Sequence, residues 1–217
     1  VTDTSVLSTR TDGAAPIRNE PVQARSTARL AALLDAAARV IDEIGYERLT
    51  TAMVAEGAGA SIGTVYRYFP DRIAVLQSLA ARNAERIGEG AFAELRDGGS
   101  GTWESALQSA FAVITAAFRS EPGFSALRFG DVLDLRPFTG APALRVFSDR
   151  AYAILVERFG MVDSLEAKQT LQSVLTLADA IAADAFQRDP DGDPAILHHA
   201  MSAANSLLKE YFPASSR

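Results

Sequence analysis

The chain has 217 residues, 48% hydrophobic and 22% charged, which is enough apolar matter for one large domain or two small ones and too balanced for a disordered chain. A net charge of -6 and a pI of about 5.0 argue against a protein that coats nucleic acid over its whole surface, while leaving room for a local basic face. The absence of cysteine excludes disulfides, cysteine-based zinc sites and a thiol nucleophile.

In chain order, residues 1–22 are polar, carry Gly13, Pro16 and Pro21, and show no periodicity, so a flexible arm is expected there. From Gln23 to Ile44 the apolar residues Leu30, Leu33, Leu34, Ala37, Val40, Ile41 and Ile44 fall at steps of three and four, which predicts an amphipathic helix ending at Gly45. A short second helix starts at Leu49-Thr50-Thr51, where either threonine can cap the free N–H groups. Gly59 turns the chain, Ser61 caps a third helix from Ile62 to Phe69, and Pro70-Asp71 opens a long fourth helix from Arg72 to about Leu95. Two short helices joined by a glycine turn form a helix-turn-helix.

Beyond the Asp97–Gly101 loop the pattern stays helical. Thr102 caps a helix reaching about Arg119, and Glu121-Pro122-Gly123 breaks it. Residues 124–135 read as short and irregular, and further helices are expected over 142–159, 164–187 and about 193–211. No useful strand-like alternation appears, so the fold class is all-α. No apolar run approaches the roughly 18 residues of a membrane span, and the N-terminus lacks a basic segment followed by an apolar stretch. A cytoplasmic protein without a membrane partner is expected.

Charge divides the chain. Residues 1–87 hold 10 Arg and 10 acidic residues, and residues 88–217 hold 11 basic and 17 acidic ones, so the whole acidic excess lies in the second part. The first part can therefore meet an anion. At 100° per residue the third helix buries Val65 and Phe69, with Ile62 at their edge. It turns Gly63, Thr64, Tyr66 and Arg67 outward, with Tyr68 between the two sides. A close-approach glycine, a guanidinium and hydroxyls are groups that donate to phosphate and read base edges in a major groove. A plain amphipathic surface explains such a face taken alone; the ordered series of caps and turns favours DNA.

That series resembles the N-terminal domain of the tetracycline-repressor (TetR) family. The resemblance runs through Leu33-Leu34-Asp35-Ala36-Ala37, Gly45-Tyr46, Thr50-Thr51, Val54-Ala55, Gly59 and Ser61-Ile62-Gly63-Thr64-Val65-Tyr66-Arg67-Tyr68-Phe69-Pro70-Asp71-Arg72, within residues 23–75. It implies a helix-turn-helix DNA-binding domain at 23–75 and a ligand-binding and dimerisation domain at 76–217. It further implies a homodimeric regulator, usually a repressor, that binds a palindromic double-stranded operator and is released by a small-molecule effector. By position, Thr50, Thr51, Tyr66, Tyr68 and Arg72 match phosphate-contacting residues. Ile62, Gly63, Thr64 and Arg67 match the base-facing part beside the cap Ser61. Arg25, Ser26 and Thr27 stand where the first helix approaches the DNA backbone. Three departures stand out: Ile62 and Glu56 occupy places where polar or basic residues are common, which leaves the head less cationic, and Gly57 costs up to about 1 kcal/mol inside a helix. Modest non-specific affinity with a steep salt dependence is expected.

The second domain gathers aromatic residues. Trp103, Phe111, Phe118, Phe124, Leu127, Phe147 and Tyr152 are candidates for lining an effector cavity, which favours an apolar or aromatic effector; filling the core is the plainer role for each. Arg128 and Asp131 can orient a polar ligand group or form an ion pair. The apolar stripes of 164–187 and 193–211 suit either a four-helix dimer contact or a monomer core. Enzyme signals are thin: His198 and His199 are adjacent and diverge by about 100° on a helix, and phosphate-loop, HExxH and Gly-x-Ser-x-Gly patterns are absent. No cofactor or metal is expected. A helical small-molecule-binding protein with a non-functional DNA-binding head is the alternative.

Overall fold

A computed structural model describes residues 20–97, 101–128 and 143–213. These contain nine α-helices and no strand: α1 (Glu20–Ile44), α2 (Thr51–Gly57), α3 (Ile62–Tyr68), α4 (Arg72–Asp97), α5 (Trp103–Ser120), α6 (Phe124–Leu127), α7 (Ala143–Phe159), α8 (Leu165–Arg188) and α9 (Pro194–Leu208). Short 3₁₀ turns follow α1 and α9, at Tyr46–Arg48 and Lys209–Tyr211. The all-α fold is therefore as expected. The helix expected over 193–211 ends at Leu208 and tightens into the second of these turns. α1 begins three residues before the expected start at Gln23, because Pro21 at the second position of a helix loses no needed N–H. The rest of the arm, with Arg10 and Arg18, and the residues Phe129, Asp131 and Phe138 lie outside the described residues.

Two apolar clusters organise the molecule. The first joins α1, α2, α3 and the opening turns of α4 through Leu33, Leu34, Ile41, Val54, Val65 and Phe69. The second joins the rest of α4 to α5, α7, α8 and α9. α4 is thus common to both, burying Val75, Leu76 and Leu79 in the head and Ile87, Ala91, Phe92 and Leu95 in the C-terminal domain. The link is reinforced by α6. Leu127, 0% exposed, sits in the head cluster, while Phe124, three residues earlier, sits in the other. The backbone N–H of Gly123 donates to the Asp42 carboxylate of α1 at 3.2 Å.

Side chains cap several helices where the sequence places them. Thr50, Ser61, Thr102 and Ser164 each accept from the backbone N–H three residues on. Asp193 caps α9 just before Pro194. Gly57, unfavourable by helix propensity, has a packing reason. A Cβ there would lie 3.3 Å from the Ala36 Cβ, so glycine lets α2 press against α1.

Candidate nucleic-acid interface and sensor core

Backbone requirements set the α2–turn–α3 unit. Thr50 Oγ1 accepts from Met53 N at 3.2 Å and starts α2. α2 ends in a Schellman turn, with Gly59 N–H donating to Glu56 O at 3.1 Å and Ala60 N–H to Ala55 O at 2.9 Å. That turn requires a left-handed residue, and Gly59 supplies it at φ 57°. Ser61 Oγ then accepts from Thr64 N at 3.1 Å and starts α3. Arg39 of α1 donates to the Gly57 carbonyl at 3.1 Å, holding the end of α2.

On α3, Val65 is 0% exposed and Phe69 just beyond it 2%, so the buried side is the expected one. Ile62 lies outside it, 43% exposed, and Tyr66 is 54% exposed. Gly63 and Arg67 are also exposed, and Thr64 is half-buried with its hydroxyl 3.0 Å from Ser61 Oγ. The Tyr66 hydroxyl accepts from Thr51 Oγ1 at 3.3 Å, tying α3 to the start of α2. The Tyr68 hydroxyl lies 3.2 Å from Ser26 Oγ, tying α3 to α1. The Arg67 guanidinium carbon lies 5.4 Å from the Tyr68 ring centre, a cation–π distance that steers its charge along the face. Arg72 turns back instead, and its Nη1 donates to the Glu47 carbonyl in the turn after α1.

A groove of about 700 Å³ runs between α1 and α3, lined by Arg25, Ser26, Arg29, Arg67 and Tyr68 among others. Three arginines thus line one concavity in a segment that is neutral overall. Arg29 was not among the sequence candidates, although it follows Arg25 by four residues and so shares its helix face. Met53, 37% exposed on α2, is a second apolar group on the exposed surface of the head that the sequence did not single out.

The aromatic candidates of the second domain separate into different jobs. Phe111 and Phe147 line an apolar cavity of about 40 Å³ with Leu107, Ile114, Val174 and Met201. Trp103 stacks on Phe212, with ring centres 4.3 Å apart. Phe118 stacks on Phe186 at 4.7 Å and meets Phe124 edge-on at 5.0 Å. Leu127 belongs to the head cluster. Arg128 donates to Asp179 of α8 at 2.9 Å, the ion-pair role. The Tyr152 hydroxyl accepts from Ser164 N–H at 2.9 Å and donates to the Asp163 carboxylate at 2.9 Å, pinning the segment before α8. Burial, then the neighbouring Asp163, raises its pKa above the ordinary 10.0. Among the described residues no helix is long and apolar enough to cross a membrane, and no cluster of three metal-ligating side chains occurs.

A capped helix-turn-helix on a helical second domain defines the class: a DNA-binding transcriptional regulator of two helical domains. Residues 33–79 match the model of bacterial regulatory proteins of the tetR family, and residues 101–212 match that of the tetracyclin repressor-like C-terminal domain. The second match spans more than half of the chain, and the chain belongs to the TetR family of transcriptional regulators. Over 55 residues it is 44% identical to the HTH-type transcriptional repressor KstR of Rhodococcus jostii, a match that spans 25% of this chain and 26% of that repressor. A TetR-family transcriptional regulator from Streptomyces coelicolor superposes with a TM-score of 0.72 at 30% identity, covering 85% of this chain and 99% of that one. The fold is shared by SmeT in its triclosan complex, with a TM-score of 0.51, 19% identity, and coverage of 87% and 93%.

Proposed function

We propose that the chain is a cytoplasmic, dimeric repressor that reads a palindromic operator with α3 and releases it when a small apolar or aromatic effector enters the C-terminal domain. It has no enzymatic role. The observation that carries the reading is the outward face of α3. Ile62, Gly63, Tyr66 and Arg67 stand exposed on a helix fixed at both ends, beside the groove of Arg25, Arg29 and Arg67. Arg67 reads base edges, Ile62 meets a thymine methyl, and Thr50, Thr51, Tyr66, Tyr68, Arg25 and Arg29 position the backbone.

Dimerisation is supported by the outer surfaces of α8 and α9. The exposed residues Gln169, Ser173, Thr176, Leu177 and Ala180 of α8 are uncharged, as are Ala195, His199, Ser202 and Ser206 of α9. Leu177 and Leu207 are 42% and 46% exposed. A charge-free strip across two paired helices suits an isologous four-helix contact. It would set the two α3 helices about 34–36 Å apart, one turn of DNA.

The apolar cavity supports an apolar effector, but 40 Å³ is far below the roughly 150 Å³ of an apolar cavity that takes up benzene. Effector entry therefore has to part the helices around it. Because α5 leads directly into α6, and Leu127 of α6 lies in the head core, that movement reaches α1 and α4. An effector that binds only the parted form shifts the population away from the DNA-reading one.

Fluorescence anisotropy of labelled duplex DNA across a sodium chloride series tests the reading. Binding should weaken linearly on a log–log plot, with a slope of about −0.9 per neutralised phosphate. Binding absent at low salt would favour a helical ligand-binding protein whose head no longer grips DNA, a reading that the exposed Ile62 and Glu56 support.

A further inference from the structure

α1, α4 and the turn after α5 meet along a second groove, of about 290 Å³, which none of the α3 or sensor-cavity residues lines. Its walls carry Asp35, Arg39, Arg82, Asn83, Arg86 and Glu121. Arg82 pairs with Asp35 at 2.6 Å, and Arg86 pairs with Glu121. Arg39 donates to a neutral acceptor, the Gly57 carbonyl. Three guanidinium groups against two carboxylates leave the groove one positive charge in excess.

Two donors on this wall have no protein acceptor: Arg82 Nε and Asn83 Nδ2, both buried. Asn83 is 1% exposed, and leaving a buried N–H unmatched is costly. The two residues are consecutive on α4 and line the same groove as the excess charge. A water would satisfy the donors without answering the charge; an anion answers both.

We propose that this groove binds a small oxyanion, the carboxylate or phosphate group of a small metabolite. Arg39 supplies the counter-charge, and the oxygens accept from Asn83 Nδ2 and Arg82 Nε once those side chains, whose donors are inaccessible as the groove stands, turn toward the ligand. A water's share of liquid volume is about 30 Å³, so the groove admits a molecule of roughly ten non-hydrogen atoms. Such a ligand touches the head through α1 and the C-terminal domain through α4 and the Glu121-Pro122 turn. It stands apart from both the DNA face and the apolar cavity.

The chain has three asparagines, Asn19, Asn83 and Asn205, so ¹⁵N-asparagine labelling of the full chain gives three side-chain amide pairs. Each is assigned by substitution to serine. Sodium phosphate and sodium acetate are titrated separately, against sodium chloride at matched ionic strength. The Asn83 pair should move saturably with phosphate, acetate or both and stay still in chloride, while the other two pairs stay in place. A response to one anion alone assigns the class. Arg39→Gln should weaken the response roughly tenfold, as expected for losing a charged partner. An Asn83 pair that neither anion moves, three pairs drifting together, or a response unchanged in Arg39→Gln would overturn the site. The signal is read without DNA, so its failure leaves the operator reading standing, and failure of that reading leaves this site untouched.

Discussion

Tyr66 and Tyr152 carry the same hydroxyl and use it differently. Tyr66 stands 54% exposed with a single weak tie to Thr51, which leaves its hydroxyl able to take another partner. Tyr152 spends its hydroxyl on Ser164 and Asp163. Tyr152→Phe should cost about 0.5–1.5 kcal/mol at neutral pH. The folded-state pKa is raised, so that contribution is fully present below the ordinary value of 10.0 and is lost as pH rises through the folded value. Thermal melts of the native chain and the variant should therefore begin to converge as pH rises past about 10; a constant difference would contradict the assignment. The contrast also explains what could be read at this scale. Residues of α3 were legible because one side of a seven-residue helix must be buried, which leaves the other side known. Trp103, Phe118 and Tyr152 were not, since an aromatic side chain does not announce whether its partner is a ligand, another ring or a backbone N–H.

At the scale of the element, the α2–turn–α3 unit depends on chemistry that is visible letter by letter. Thr50 and Ser61 cap, and Gly59 adopts a conformation that other residues pay for. No atom lies within 4 Å of where a Gly59 Cβ would sit, so Gly59→Ala meets no clash. Its cost is conformational alone, about 1–2 kcal/mol for a left-handed alanine. Chemical denaturation should show a loss of that size with an unchanged m-value, and a loss near zero would mean that the turn relaxes into another form. The start of α1 and the role of α6 were less legible. A four-residue helix leaves too short a pattern to reveal that Phe124 and Leu127 enter different cores, and the helix-propensity cost of Gly57 carries no sign of Ala36 packed against it.

At the scale of the molecule, α4 and α6 join the head to the C-terminal domain, and the uncharged strip from Gln169 to Ala180 of α8, with the outer side of α9, provides the proposed dimer contact. Ala180 is exposed in the single chain. Ala180→Glu should therefore leave the fold intact and convert the dimer to monomer in analytical ultracentrifugation, because two like charges would meet in a desolvated isologous contact. A variant that remains dimeric would move the contact elsewhere. The stripes of α8 and α9 alone could not separate dimer face from core. Burial of Leu171, Val174, Ala178 and Ala182 assigns those to the core and leaves the opposite side for a partner.

The central claim is that α3 reads DNA through Arg67. Selecting from a pool of random duplexes with the native chain, beside Arg67→Ala, tests it most directly. The native chain should enrich a palindrome with half-sites about one helical turn apart. Arg67→Ala should bind that site about 1–3 kcal/mol more weakly and with relaxed preference at the contacted position. Enrichment of the same palindrome to the same degree by the variant would show that another face of the head does the reading.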